Sequence, residues 1–172
     1  MNEQHNLETS WTDVLSSDGD DSHTNRENLI PVDQLLFRLT SDDDTLTPSS
    51  LYTLSDLSQF NVQLISEHWS DIPVDRRRWV VAQLITLAEK ELDLHLGRIL
   101  RIAMKDSDEY IREAAIAGLW EDTGSDLGNE YLRQLRKESS ANVRAALAEA
   151  LGNFVLAGEL DEIDPSLAAR AE

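Results

Sequence analysis

Apolar residues recur at helical spacing through most of this chain, and the recurrence is itself repeated. Three segments align without gaps, RRWVVAQL from Arg77 to Leu84, REAAIAGL from Arg112 to Leu119 and RAALAEAL from Arg144 to Leu151, at offsets of 35 and 32 residues. Each arginine is followed two and three places on by an apolar or small pair, Trp79 and Val80, Ala114 and Ala115, Ala146 and Leu147, and by leucine at the seventh place. With Ile111 and Val143 just before the second and third arginines, apolar positions fall at i, i+3, i+4, i+7 and i+8, the stripe of a helix with one buried face. Small residues at Ala114, Gly118, Ala146 and Ala150 let a neighbouring helix approach closely.

A second amphipathic pattern precedes each of these helices. Leu57, Phe60, Leu64 and Ile65 mark the first, Leu92, Leu96, Ile99, Leu100 and Ala103 the second, and Leu132 with Leu135 the third. Asp71 with Pro73, Asp106 to Asp108, and Ser139 to Asn142 occupy the matching turns, where Asp, Ser and Asn side chains accept hydrogen bonds from the free amides of the next helix. The prediction is helix, tight turn, helix, three times over, with repeats at about 56–91, 92–124 and 129–156. One such hairpin cannot bury its stripe alone, and stacking copies produces a continuous core. Ahead of it, residues 29–55 read as a short helix (Leu29, Leu35, Leu36, Leu39, with Pro31 near its start), a linker SDDDTLTPSS and an apolar turn at Leu51 and Leu54, together an N-terminal cap. Behind it, residues 157–172 read as the start of a further helix at Pro165 or an incomplete C-terminal cap. Leu160, Ile163 and Leu167 have little to cover them, so self-association through this end, or a longer array, is expected.

The stretches MKDSDEYIREAAIAGLWED and RKESSANVRAALAEALGNF resemble HEAT repeats, whose pattern runs Asp, a few polar residues, Val-Arg, then Ala and Leu at helical spacing. The run from LYTLSDLSQF through WEDTG is similar to bacterial HEAT-repeat-containing proteins, and the resemblance covers roughly Leu51 to Leu156. It implies an all-α fold, a right-handed armadillo-like α-solenoid of about three hairpins. It also implies that the repeat arginines Arg77, Arg112 and Arg144 bond to a turn carboxylate in an adjacent repeat, with Asp106 or Asp108 as acceptors. The first copy departs from the pattern, with Arg76 where Ile111 and Val143 stand and bulky Trp79 in place of alanine, which suits an end repeat.

Charge divides the chain differently. Its 172 residues carry 15 Lys plus Arg against 33 Asp plus Glu, net -18. Residues 1–50 hold 11 acidic and 2 basic side chains and residues 51–172 hold 22 and 13, so half the excess sits in the shorter segment. Residues 1–28 have too few large apolar groups to offset the entropy of ordering, and are expected to form a disordered acidic tail in which Trp11, Val14 and Leu15 could make one helical face on a partner. The acidity opposes nucleic-acid binding. No leader-like or membrane-spanning run is present, which makes a cytoplasmic protein the expectation.

Reactive chemistry is sparse. With no cysteine, thiol catalysis and zinc-thiolate or iron-sulfur sites are excluded. An EF-hand loop begun at Asp18 places His23 where glycine is needed and Leu29 where the bidentate glutamate belongs. Asp42, Asp43 and Asp44 are consecutive and read as a solvated loop. The four histidines form no i, i+4 pair. Gly124 and Gly128 belong to a turn, and Gly152 and Gly158 lie near a helix end. No catalytic residue, metal or cofactor is assigned. Candidate partner-binding positions lie four and eight residues after each repeat arginine: Val81 and Ile85, Ile116 and Trp120, Ala148 and Gly152, a row along the inner surface. Trp120 is either an interface anchor or a core residue closing over the Gly124 turn. Arg76 and Arg78 flank Arg77 in a basic cluster and are expected to be free for a partner or the acidic tail. The function these features suggest is a non-catalytic protein-interaction scaffold or adaptor. The alternatives are an accessory enzyme subunit such as a HEAT-type bilin lyase-like protein, and a DNA-glycosylase-like HEAT fold, which the charge opposes.

Overall fold

The computed structural model describes residues 29–41 and 46–159, with backbone alone at 157–159, and Arg170. The acidic tail, the Asp42–Asp44 run and the helix anticipated at Pro165 lie outside the described residues. Among those described, the regular structure is entirely helical: α1 (Val32–Thr40), a 3-10 segment (Pro48–Leu54), α2 (Gln59–His68) continuing into a 3-10 turn (Trp69–Asp71), α3 (Val74–Lys90), α4 (Gly97–Ala103), α5 (Glu109–Gly118), α6 (Ser125–Leu135) and α7 (Ala141–Glu159). No helix in this part is long and apolar enough to cross a membrane.

Local chemistry accounts for the starts. Ser58 and Asp108 accept hydrogen bonds from Asn61 N and Ile111 N, each at 3.2 Å, and so satisfy amides that an opening helix leaves bare. Pro31 and Pro73 stand at the N-caps of α1 and α3, where φ is already near the helical value and no N–H is wasted. Helices α3, α5 and α7 lie side by side; α2 packs on α4, α4 on α5 and α6 on α7, while α1 rests on α2 and on the 3-10 segment. The core runs through all of them, from Leu35 and Leu39 of α1 to Leu151 and Phe154 of α7. Gly118 is where two neighbours close on α5: a Cβ there would meet Leu100 at 3.1 Å and Ile85 at 3.3 Å.

Two boundaries differ from the sequence reading. The first helix of the second hairpin begins at Gly97, not Leu92; residues 91–96 form a connector. His95 N donates to Ser55 Oγ (3.0 Å), Asp56 N donates to His95 O (3.1 Å) and Tyr52 OH donates to Glu91, so long-range bonds hold that stretch out of a helix. Asp56 adopts φ 51°, a left-handed conformation that Asp tolerates better than most side chains. At the other end α7 runs on to Glu159, so Gly152 lies inside a helix with open space around it.

Candidate functional site

The repeat arginines occupy equivalent places. Through Nη1, Arg77 donates to the carbonyls of Ser70 and Ile72, Arg112 to those of Asp106 and Ser107, and Arg144 to those of Glu138 and Ser139. Each clamps the turn that precedes its own helix. In Arg77 and Arg112 the far edge of the guanidinium then reaches the turn that precedes the next helix of the row. Arg112 makes a two-pronged bond to Glu138, Nε to Oε2 at 3.0 Å and Nη2 to Oε1 at 2.7 Å. Arg77 faces Asp106: Nη2 donates to Oδ1 at 3.3 Å, and Nε lies 2.8 Å from Oδ2 in an ionic contact too bent for a full hydrogen bond. Trp69 Nε1 donates to the same carboxylate at 2.6 Å. The Asp106 carboxylate therefore serves Arg77, not Arg112, and that of Asp108 belongs to neither. Side-by-side second helices explain this, since an arginine in the first turn of one looks onto the next turn along the row. Hydrogen bonding from Arg112 holds the Glu138 carboxyl below the usual glutamate range despite its burial.

The expectation that Arg76 and Arg78 are free is overturned. Arg78 forks onto Asp108 (Nε to Oδ1 3.1 Å, Nη2 to Oδ2 2.6 Å) and lies 5.1 Å from the ring centre of Tyr110, and Arg76 donates to the Arg38 carbonyl at 2.7 Å. The bond to Asp108 raises the Arg78 pKa and lowers that of Asp108. Residues of α1, α3 and the turn before α5 meet here, so the basic run in α3 is engaged in intramolecular contacts. Lys105, Arg133 and Lys137 gather with Arg112 around a hollow of about 380 Å3, where Glu130 pairs with Lys105 (3.4 Å) and Arg133 (2.9 Å) and Glu138 with Arg112 (2.7 Å). The run RQLRK at 133–137 signals it in the sequence.

The inner row is also corrected. Val81 and Ile116 are fully buried, so neither can meet a partner. A helix flanked on both sides by its equivalents needs a wider apolar arc than one packed on a single neighbour, and in α5 both Ala115 and Ile116 face inward. Farther along the helices the surface opens: Ile85 is half-buried, Ala148 and Gly152 are exposed, and Trp120 is 65% exposed. Trp120 does not close over the Gly124 turn as core; Leu119 is the buried neighbour.

Trp120 stands on an open groove of about 1250 Å3 at the end of the molecule where α3 and α5 finish and α4 and α6 begin. Ile85, Ala88, Leu94, Ala117 and Gly118 supply its apolar lining, and Leu92, 89% exposed, projects from the connector. Around these stand six carboxylates, Asp56, Glu89, Glu91, Glu121, Asp122 and Asp126, and two arginines. Both arginines are engaged: Arg98 donates to the Leu57 carbonyl, and Arg101 pairs with Asp122 (2.7 Å) and with Asp126. Burial opposes the Arg101 charge, but the hydrogen bonds it donates to Asp126 and Asp122 outweigh it and raise its pKa; the bond from Arg101 lowers that of Asp126. Gly124 lets this acidic turn close, because a Cβ there would meet Asp126 at 2.8 Å and Asp122 at 3.0 Å. Among the described residues, no group of three or more His, Asp or Glu could hold a metal ion.

This geometry defines a class no narrower than an all-helical protein with an open apolar groove. Comparison of the chain with protein-family models, curated proteins and solved structures returns no match.

Proposed function

We propose that the chain is a non-catalytic protein-interaction scaffold or adaptor, an α-solenoid of about three HEAT-type hairpins that docks a partner protein at the Trp120 groove. The observation that carries this reading is the pairing of two large apolar side chains, Trp120 and Leu92, left exposed over an apolar lining. Aromatic anchors set in concave, partly dry surroundings supply most of the energy in protein interfaces, whereas scattered exposed leucines do not. The solenoid reading is supported by the row α3, α5, α7 and by arginines that link each turn to the next. The polar groups at the groove suit support better than catalysis, since Arg98, Arg101, Asp122 and Asp126 are held in structural bonds.

The test is affinity capture with the full chain and with Trp120→Ala. Partners retained by the parent and lost with the variant, with the variant still folded at the assay temperature, are expected. Equal recovery by both would contradict docking at Trp120.

A further inference from the structure

We infer that the occupant of the Trp120 groove is a basic segment of a partner protein that carries one or two large apolar side chains. The inference rests on the docking reading above and adds the chemistry of the partner. Two features of the groove act together. Its lining offers Trp120, Leu92, Ile85 and Ala117 to an apolar anchor. Its rim offers carboxylates whose charge is not met from within: Glu89 and Glu121 are exposed and make no ion pair or hydrogen bond among the described residues, and Asp56 receives only a 3.5 Å contact from Ser55 Oγ. Of the two arginines that line the same space, Arg101 is taken up by Asp122 and Asp126, and Arg98, bonded to the neutral Leu57 carbonyl, sets one positive charge against Glu89, Glu121 and Asp56, so the rim stays net negative.

An apolar segment bearing Lys or Arg would bury its anchor against Trp120 while its charges lie within reach of Glu89, Glu121 and Asp56. Complementary charge of this kind speeds encounter and rejects wrong partners more than it deepens affinity. The same field disfavours the two occupants nearest to hand. A second copy brings net -18 of its own, and the chain's N-terminal residues 1–28, with seven carboxylates and one arginine, would set like charge against the rim. The lining is also pre-formed: the connector that carries Leu92 and His95 is tied to residues 52–57 by three long-range hydrogen bonds, so little ordering cost falls on binding.

The experiment uses the full 15N-labelled chain and three 14-residue amidated peptides of identical helical pattern: one of Lys and Leu, one with every Lys replaced by Glu, and one with every Leu replaced by Ala. Binding is followed by 1H–15N spectra, including the Trp120 indole signal assigned by its loss in Trp120→Phe. The Lys/Leu peptide is expected to shift the indole of Trp120 and amides of residues 88–97 and 117–122. Its affinity should fall at least ~10-fold in Trp120→Ala and several-fold in Glu89→Gln/Glu121→Gln, the latter loss shrinking as salt is raised. Leu92→Ala, at a nearly fully exposed position, gives a second reading should Trp120→Ala prove unstable. Lys/Ala and Glu/Leu peptides should bind at least ~10-fold more weakly than Lys/Leu, each lacking one of the two elements. If Glu/Leu binds as well as Lys/Leu and still depends on Trp120, the basic partner is refuted and the docking surface survives. If Lys/Leu binds regardless of Trp120 and Leu92, with shifts spread over the acidic surface, the docking surface itself fails. Absence of binding by all three overturns both.

Discussion

Asp106→Ala should be among the most damaging single substitutions outside the apolar core. The side chains of Arg77 and Asp106 are 9% and 1% exposed, and the carboxylate also accepts from Trp69 Nε1 and from Asp108 N at 2.8 Å. Removing it leaves a guanidinium buried without a counter-charge, which typically costs about 3–5 kcal/mol. It also deprives a buried indole N–H of its acceptor, a loss of about 1–3 kcal/mol that overlaps the first and is not simply added. A total near 4 kcal/mol is a large share of the roughly 5–15 kcal/mol available to a domain. For a chain of this size it should lower the melting temperature by roughly 8–16 °C. Urea unfolding followed by circular dichroism at 222 nm measures it. Asp106→Asn, which keeps an acceptor for Trp69, should cost less, and Arg77→Met combined with Asp106→Leu should recover part of the loss because no charge is then stranded. A cost below about 1 kcal/mol for Asp106→Ala, or a double variant no better than the single one, would refute the view that this buried pair joins α3 to the turn before α5.

Other outcomes follow from the same contacts. Trp120→Ala should cost no more than about 1.5 kcal/mol because most of the side chain is already in water, whereas Trp69→Ala should cost about 3–5 kcal/mol; the two urea midpoints compared directly decide this. Gly152→Ala, in a helix interior with nothing within 4 Å, should stabilise by about 0.5–1 kcal/mol. Gly118→Val should destabilise by about 1–3 kcal/mol through collision with Leu100 and Ile85, and a melting point at or above the parent's would contradict the close approach. For pH, Glu138 has a folded pKa depressed below its ordinary 4.5 by Arg112, so its contribution is complete above that value and is lost as pH falls through the depressed one. Glu138→Gln should thus be less stable at pH 7 and lose less on acidification from pH 6 to 3, read from urea midpoints along the series.

The helical pattern was legible because the 3.6-residue period is carried by residues with little choice. Ile111, Ala115 and Leu119, or Val143, Leu147 and Leu151, can only be reconciled with water by burying one face, and all six are buried. Legibility failed where long-range bonds overrule local pattern. Leu92 and Leu96 fit a helical stripe, yet Ser55, Asp56 and Tyr52, some 40 residues earlier, hold the 91–96 connector out of it. Charge partners were the least legible part. The repeat register singles out Arg77, which meets Asp106, but nothing local sends Arg78 to Asp108 or Arg76 back to Arg38 in α1; only the elements that pack around α3 do. The groove was half visible, through Trp120 and Ile85. Val81 and Ile116 were misplaced because a periodicity reading assumes one packed face, while α5 lies between α3 and α7, and α3 between α5 and the 3-10 segment. Leu92 was missed as a surface residue for the same reason that its connector was read as helix.

Site-specific photo-crosslinking in the native cell tests the central claim most directly. A benzophenone side chain placed at Ala117 or at Leu92, both exposed at the groove, should yield a discrete adduct with another protein. The adduct should vanish when Trp120→Ala is added to the Ala117 chain, and no such adduct should form from Ser66, exposed on α2 and not part of the groove lining. No adduct at either groove position, or equal adducts from Ser66, would contradict a partner docked at Trp120.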